Sequence, residues 1–428
     1  MNNLVIICAI LLLVLLFLKV PVYIAVLSAS AVYFIGTPGM NLSIFAQKTI
    51  SGAEGLSLLA IPFFVCAGIF MNYTGVTKRI MNCCEVLTAR MPGGLAQVNI
   101  LLSTLMGGLS GSSLADAAMQ CKMLVPTMES KGYSKSFSTV ITAASGMVVP
   151  LIPPGVGLII YGCINNISIG KLFIAGIGPG IVLCVTLMIF THFLSKKRGY
   201  LPSRTTKIPV SEKIAAVRPA FLPLLLPIII IGGVRIGVFT ASEAGTVAIV
   251  YAVLLGLLYK ELTLKNVMQG CKETVTTTAS IMLIVAAATC FSWILTKEQI
   301  PQQFSQWMIS NIYNKYVFLI MVNIFLLIVG MFIEGNASMI VLAPLLHPVA
   351  MAYGIDDIHF AMVYIFNCTI GAFTPPMGTL MFVSCGITKC PTKDFIKEAV
   401  PFYILFAIDI IVLTYIPQLT TFLVNVFY

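Results

Sequence analysis

Apolar residues run along this chain in long blocks broken by short polar gaps, the pattern of helices buried in lipid or in protein. Leu4–Leu18 and Pro21–Ile35 read as two spans joined at Lys19. Leu58–Met71 reads as a third, after an uncharged loop over 37–56. Lys78, Arg79, Glu85 and Arg90 then punctuate Ile80, Val86, Leu87 and Met91, an amphipathic series that suits a helix lying in the membrane interface. Further spans are expected at 171–194, 219–234, 241–259, 275–295 and 401–422. A second amphipathic piece at 300–314 carries Ile300, Phe304, Trp307 and Met308 at helical spacing.

Two blocks do not fit plain spans. Leu95–Gly108 runs into the polar stretch Ser110–Ala118 and returns through Met119–Met128, which predicts a re-entrant hairpin. Phe137–Tyr161 is long enough to cross, but Pro150, Pro153 and Pro154 remove helical hydrogen bonds, which predicts a discontinuous helix. The same pair recurs later. Val317–Phe332 leads to the polar tip Glu334–Ser338 and back through Ala343–Met351, and Phe360–Val383 is broken at Pro375 and Pro376. Adding 222 to Pro126, Gly132, Pro153, Pro154, Lys171, Phe173, Ile174 and Pro179 gives Pro348, Gly354, Pro375, Pro376, Lys393, Phe395, Ile396 and Pro401, so the chain contains an internal repeat.

Composition agrees with a polytopic membrane protein. Hydrophobic residues make up 59% and charged residues 9% of 428, where soluble chains carry roughly 25% charged. That length leaves room for about ten to twelve spans of ~20 residues. The net charge of +10 reads as cytoplasmic loops under the positive-inside rule, not as a nucleic-acid surface. Lys196, Lys197, Arg198, Arg204, Lys207, Lys213 and Arg218 stand against Glu212 alone in a basic loop that divides the chain. Lys131 and Lys135 follow the first hairpin, whereas Asp356 and Asp357 follow the second. The two copies are therefore expected to be inverted, with both termini outside. The twelve cysteines show no metal spacing and read as reduced.

Paired breaks at matching places point to the binding site of a secondary transporter. Hydroxyls and freed carbonyls suit a small hard cation, and helix N-termini suit an anion. Ser110–Ser113 alone is equally compatible with close helix packing. Asp116, an acid inside the membrane, can touch a cation, carry a proton or cap the second hairpin helix. Glu334 and Asn336 hold the matching places. Arg235 and Glu243 read as an interfacial charge pair. His192, His347 and His359 show no ligand spacing.

At Ser110–Ala118, Leu151–Pro154 with Ile159–Gly162, Gly237–Ala244, and Thr374–Gly378 with Phe382, the chain resembles the large membrane subunit of tripartite ATP-independent periplasmic (TRAP) transporters, over nearly its whole length. That resemblance implies an all-α carrier of ion-transporter-superfamily type. Two inverted repeats would each hold a hairpin and a discontinuous helix, working by an elevator mechanism. It implies sodium-coupled import of an organic acid such as a C4-dicarboxylate or sialic acid. A periplasmic binding protein would deliver the acid, beside a small four-span membrane subunit in the bacterial inner membrane. No cofactor besides the coupling sodium is implied.

Carried onto this sequence, one sodium site uses Ser110, Ser112, Val149, Ile152 and Pro154. The other uses Gly335, Thr369, Gly371, Thr374 and Met377. Asp116, Ser113, Asn336, Pro154 and Pro376 are the substrate or coupling candidates. Val149 stands where the family has Gly, and Gly155 where it has Ser. The implied organisation is a scaffold at 1–94, a transport half at 95–195 (hairpin 95–130, broken helix 137–161) and a basic linker at 196–218. A second scaffold half spans 219–316 and a second transport half 317–428 (hairpin 322–353, broken helix 360–385). Alternatives are a single-chain sodium–carboxylate symporter, an intramembrane hydrolase, for which no Ser-His or paired-aspartate arrangement is visible, and an ATP-driven permease, for which no GxxxxGK[ST] motif exists.

Overall fold

The computed structural model describes residues 3–18, 20–204, 206 and 208–428. Lys19 and Lys207 lie outside the described residues. The chain is all-helical. Helices α1 (Asn3–Phe17) and α2 (Val22–Gly36) pack on each other. The stretch read as a loop over 37–56 contains α3 (Leu42–Ser51), opened by the Asn41 side chain accepting from the Ser43 N–H. α4 (Ala60–Asn72) turns through 67° into the amphipathic α5 (Val76–Thr88).

The first hairpin is α6 (Gly94–Ser110) and α7 (Ser113–Ser130). The first broken helix is α8 (Lys135–Gly146) and α9 (Val156–Asn165), followed by α10 (Ile169–Lys197). Then come α11 (Val210–Arg235), α12 (Ala241–Leu258), the 34-residue α13 (Leu264–Lys297) and the short α14 (Ile300–Asn311). The second hairpin is α15 (Lys315–Phe332) with α16 (Gly335–Ala352), and the second broken helix is α17 (Asp357–Phe373) with α18 (Thr379–Thr388). α19 (Thr392–Tyr415) bends 49° into α20 (Gln418–Phe427).

Several expectations change here. Six helices among the described residues are long and apolar enough to cross a membrane, or eight if each bent pair counts once, fewer than the ten to twelve that length allows. Much apolar sequence goes instead into shorter helices: α9 and α18, of 10 residues each, are too short to cross alone, and α6 and α17, of 17 each, stand at the lower limit for a span. The basic stretch is not one loop. α10 carries Lys196 and Lys197 as its last turn, and α11 takes Glu212, Lys213 and Arg218. Basic side chains at the end of α10 complement the negative end of its dipole. Arg235 and Glu243 do not pair. The Arg235 Nε donates to the Phe427 carbonyl at 3.0 Å, and Glu243 forms a capping box with Thr240 at the start of α12.

Each hairpin embraces the first half of its own broken helix: α8 packs against both α6 and α7, and α17 against both α15 and α16. The second halves cross over. α9 packs on α16, and α18 on α7. α8 also packs on α19, as α17 does on α10.

Element boundaries refine the constant offset found in the sequence. α7 and α16 are both 18 residues and start 222 apart, and their N-caps, Ser112 and Glu334, keep that spacing. After the proline pairs the spacing is 223. Gly155 and Gly378 are the N-caps of α9 and α18, and Asn166 and Lys389 close those helices in the left-handed region. Met377 is the extra residue. The identities counted at Lys171, Phe173, Ile174 and Pro179 therefore fall one position out of structural register.

Candidate functional site

The first tip is built by a change of backbone direction. α6 ends on Gly111, whose φ of +61° is one that residues with a side chain rarely adopt, and Ser112 follows as the N-cap of α7. The Ser112 hydroxyl accepts weakly from the Ala115 N–H at 3.4 Å. The tip lies directly on the proline break. The Val156 N–H donates to the Gly111 carbonyl at 3.4 Å, and a Cβ on Gly111 would stand 2.8 Å from the Pro154 carbonyl oxygen.

The break itself frees oxygen ligands. Between α8 and α9 the chain makes turns in which Leu151 and Ile152 both donate to the Val148 carbonyl. Among the described residues the carbonyls of Val149, Ile152 and Pro154 accept no backbone hydrogen bond. Ser110, only 9% exposed, has a buried hydroxyl without a hydrogen-bond partner. Unpaired polar atoms in an apolar interior are costly, and this hydroxyl, like the buried Oδ1 of Asp116, keeps lone pairs free for a further partner. Gly155 also has a physical reason here, because a Cβ at that position would meet the Pro150 carbonyl oxygen at 2.2 Å.

The second tip is satisfied differently. Ile333 and Glu334 are extended, and the Glu334 carboxylate accepts from the Ala337 N–H at 3.1 Å, capping α16. The Gly371 carbonyl accepts from the Thr374 N–H at 3.0 Å, and the Thr374 carbonyl accepts from the Gly378 N–H at 3.1 Å. The hydroxyls of Thr369 and Thr374 donate to the carbonyls of Ile365 and Ile370. This set is more engaged internally than the first, leaving one lone pair on each carbonyl for another partner.

Both tips open on one cavity of ≈ 440 Å³, within the range of small-molecule sites. Ser110, Ser112, Ser113, Gly335, Asn336 and Thr369 line it. Val149, Ile152, Pro154, Gly371, Thr374, Pro376 and Met377 do not; they sit in the two breaks, except Gly371, which lies in the last turn of α17 against Gly330. Sequence reasoning missed the opposite wall. Asn72 at the end of α4 and Thr276, Thr277 and Ser280 on α13 line the cavity, although α13 had been read as an ordinary span. Their spacing on one helical face was the available signal. Among the described residues no cluster of three His, Cys, Asp or Glu forms, so the donors at the tips are neutral oxygens and one carboxylate.

Asp116 belongs elsewhere. It is buried in the interior of the first hairpin, where one carboxylate oxygen accepts from the Ser103 hydroxyl at 2.7 Å and the Gln120 amide at 2.8 Å. Ser103 in turn reaches Ser145 of α8 at 3.1 Å. The geometry is that of a strut tying α6, α7 and α8 together. A second buried acid went unremarked in the sequence: Asp409 on α19 accepts from the Thr186 hydroxyl of α10 at 3.0 Å.

The family model for the tripartite ATP-independent periplasmic transporter, DctM component, matches residues 9–419. The chain belongs to that family. It is 39% identical over 414 residues to the sialic acid TRAP transporter large permease protein SiaM of Vibrio cholerae, covering 96% of each chain. It is 36% identical to the C4-dicarboxylate TRAP transporter large permease protein DctM of Pseudomonas aeruginosa, covering 89% of each. Among solved structures the Alcanivorax borkumensis YdaH transporter matches with a TM-score of 0.60 at 13% identity, over 92% of this chain and 96% of that one, a likeness of fold. This DctM-family chain is a membrane transport subunit and not an enzyme.

Proposed function

We propose that this chain is the large membrane subunit of a sodium-coupled importer of an organic acid, in which the two hairpin tips and two proline breaks form the ion and substrate site. One observation carries the reading: the unpaired Ser110 hydroxyl lies at a tip that lines a small-molecule cavity, and the proline break packed against that tip leaves the carbonyls of Val149, Ile152 and Pro154 without backbone partners. One sodium sits there. The second sits among Gly335, Thr369, Gly371, Thr374 and Met377. Relatives named for sialic acid, C4-dicarboxylate and isethionate transport support an organic acid as cargo.

The two tips divide the work. A helix N-terminus favours an anion. At α16 that place is taken by the Glu334 carboxylate, whereas neutral Ser112 caps α7. Asp116 also stands in the first turn of α7, but its carboxylate is turned inward to Ser103 and Gln120 and does not line the cavity, so the substrate carboxylate docks at Ser112 and Ser113, and Glu334 adds cation affinity at the second tip. The matching order of elements and their crossed packing support two inverted copies. They form a transport body (95–195 and 317–428) that slides as an elevator against the scaffold (1–94 and 219–316), with 196–218 as linker. With the basic stretch inside and both termini outside, the cavity lies against the cytoplasmic end of α4 at Asn72 and the middle of α13. A separate small membrane subunit and a periplasmic binding protein complete the transporter, as the family implies.

The test is uptake into proteoliposomes holding both membrane subunits, with the binding protein outside. Uptake is expected only with an inward sodium gradient. Uptake of equal rate with choline in place of sodium refutes the coupling, and uptake by this chain alone refutes the need for partners.

A further inference from the structure

The cavity wall on α4 and α13 faces the tips but supplies none of the proposed sodium ligands. It is polar all the same: Asn72, Thr276, Thr277 and Ser280 line it. The direction of its hydrogen bonds matters. The Thr276 hydroxyl donates to the Lys272 carbonyl at 2.9 Å, and the Ser280 hydroxyl to the Thr276 carbonyl at 2.9 Å. Across the cavity the Thr369 hydroxyl donates to the Ile365 carbonyl at 2.7 Å. With their protons committed to their own helices, these hydroxyls present acceptor lone pairs to the cavity. Among its described lining residues there is no Lys, Arg or His, and the one charged group is Glu334.

A carboxylate only accepts hydrogen bonds, so it gains nothing from Thr276 and Ser280, meets donors on this wall only at Asn72 and Thr277, and is repelled by Glu334. A substrate with a second carboxylate would have to place it there. A substrate with hydroxyl or N–H donors at that end would satisfy the wall. Resting on the proposed transport function, we infer that Thr276 and Ser280 are specificity-determining residues. They select a hydroxylated monocarboxylic acid over a dicarboxylate or a plain alkanoate, by accepting from the substrate's donors while its single carboxylate lies at the tip of α7. A site built to bond a substrate hydroxyl discriminates strongly against the analogue lacking it, because its own polar groups are otherwise left unpaired.

The experiment uses the full chain with its small subunit in nanodiscs, reading melting temperature first against sodium chloride and then, in sodium, against six acids. Gluconate, glucuronate and sialic acid form one group; succinate, fumarate and hexanoate form the other. At least one acid of the first group is expected to stabilise the protein and none of the second. Thr276→Val/Ser280→Ala is expected to weaken that binding about tenfold, the loss of two neutral hydrogen bonds. Its sodium response, set by hairpin groups these side chains do not touch, reports that the variant is folded. Succinate, fumarate or hexanoate binding as tightly as the hydroxylated acids overturns the inference. So does unchanged affinity in the double variant, or a sodium response with none of the six acids binding. The absence of any response to sodium strikes the proposed function instead, which keeps the two failures apart.

Discussion

Replacing Ser110 by alanine separates an ion ligand from a packing residue by the sign of its effect. The Ser110 hydroxyl is buried and unpartnered. An unsatisfied buried polar group costs about 1–3 kcal/mol, so without sodium Ser110→Ala removes a penalty. It is expected to raise the apparent melting temperature by roughly 1–2 °C for a chain this long. Sodium adds an opposing effect. Contacts between a neutral oxygen and a charged group are worth about 1.5–3 kcal/mol, so losing one moves the sodium midpoint up by about tenfold or more. The native protein gains about 2.7 kcal/mol at a hundred times its dissociation constant, and the variant gains correspondingly less at the same concentration. The assay is a melting curve at fixed ionic strength, exchanging choline for sodium stepwise, so that screening stays constant. The variant's advantage should shrink as sodium rises, by about 1.4 kcal/mol or more at saturation, and reverse where the lost contact outweighs the relieved penalty. A variant less stable than native by a constant amount at every sodium concentration would show that Ser110 only packs, and the ion-site reasoning would fail with it.

Three further outcomes follow from other parts of the fold. Asp116→Ala should cost about 2–3 kcal/mol by stranding Ser103 and Gln120, lowering thermal stability with and without sodium; a sodium midpoint shifted at unchanged stability would make Asp116 a ligand instead. Gly155→Ser places a Cβ 2.2 Å from the Pro150 carbonyl. It should abolish sodium stabilisation while the protein still reaches the membrane, and normal transport would show that the break is more pliable than drawn. Thr186→Val removes the donor to Asp409 and should destabilise by about 1–3 kcal/mol, whereas Thr186→Ser should restore most of it, both read by melting temperature.

Much of this arrangement was legible because it is expensive. Polar residues and paired prolines inside apolar blocks have few physical explanations, and Ser110–Ala118, Glu334–Ser338 and the two proline pairs marked the tips and breaks directly. The amphipathic pieces at α5 and α14 were equally plain from their spacing. What escaped detection lacked such a cost. Leu42–Ser51 carries one charge and modest hydrophobicity, and only the Asn41 cap reveals a helix. Asp409 stands alone in an apolar run with no motif around it. The first half of α13 is rich in threonine, and Thr276, Thr277 and Ser280 pass as part of an ordinary span at 275–295 until the 34-residue helix places them on one wall of the cavity. The one-residue shift at Met377 hid behind coincidental identities, which a constant offset cannot tell from true equivalence.

The central claim is that small cations are held behind the tips by neutral oxygens freed at the proline breaks. A high-resolution density map of the protein in sodium, compared with one in choline, tests it most directly. The account predicts a sodium-dependent peak touching the Ser110 hydroxyl and the carbonyls of Val149 and Ile152. Maps with no difference there, and with those carbonyls capped by protein N–H groups, would contradict it.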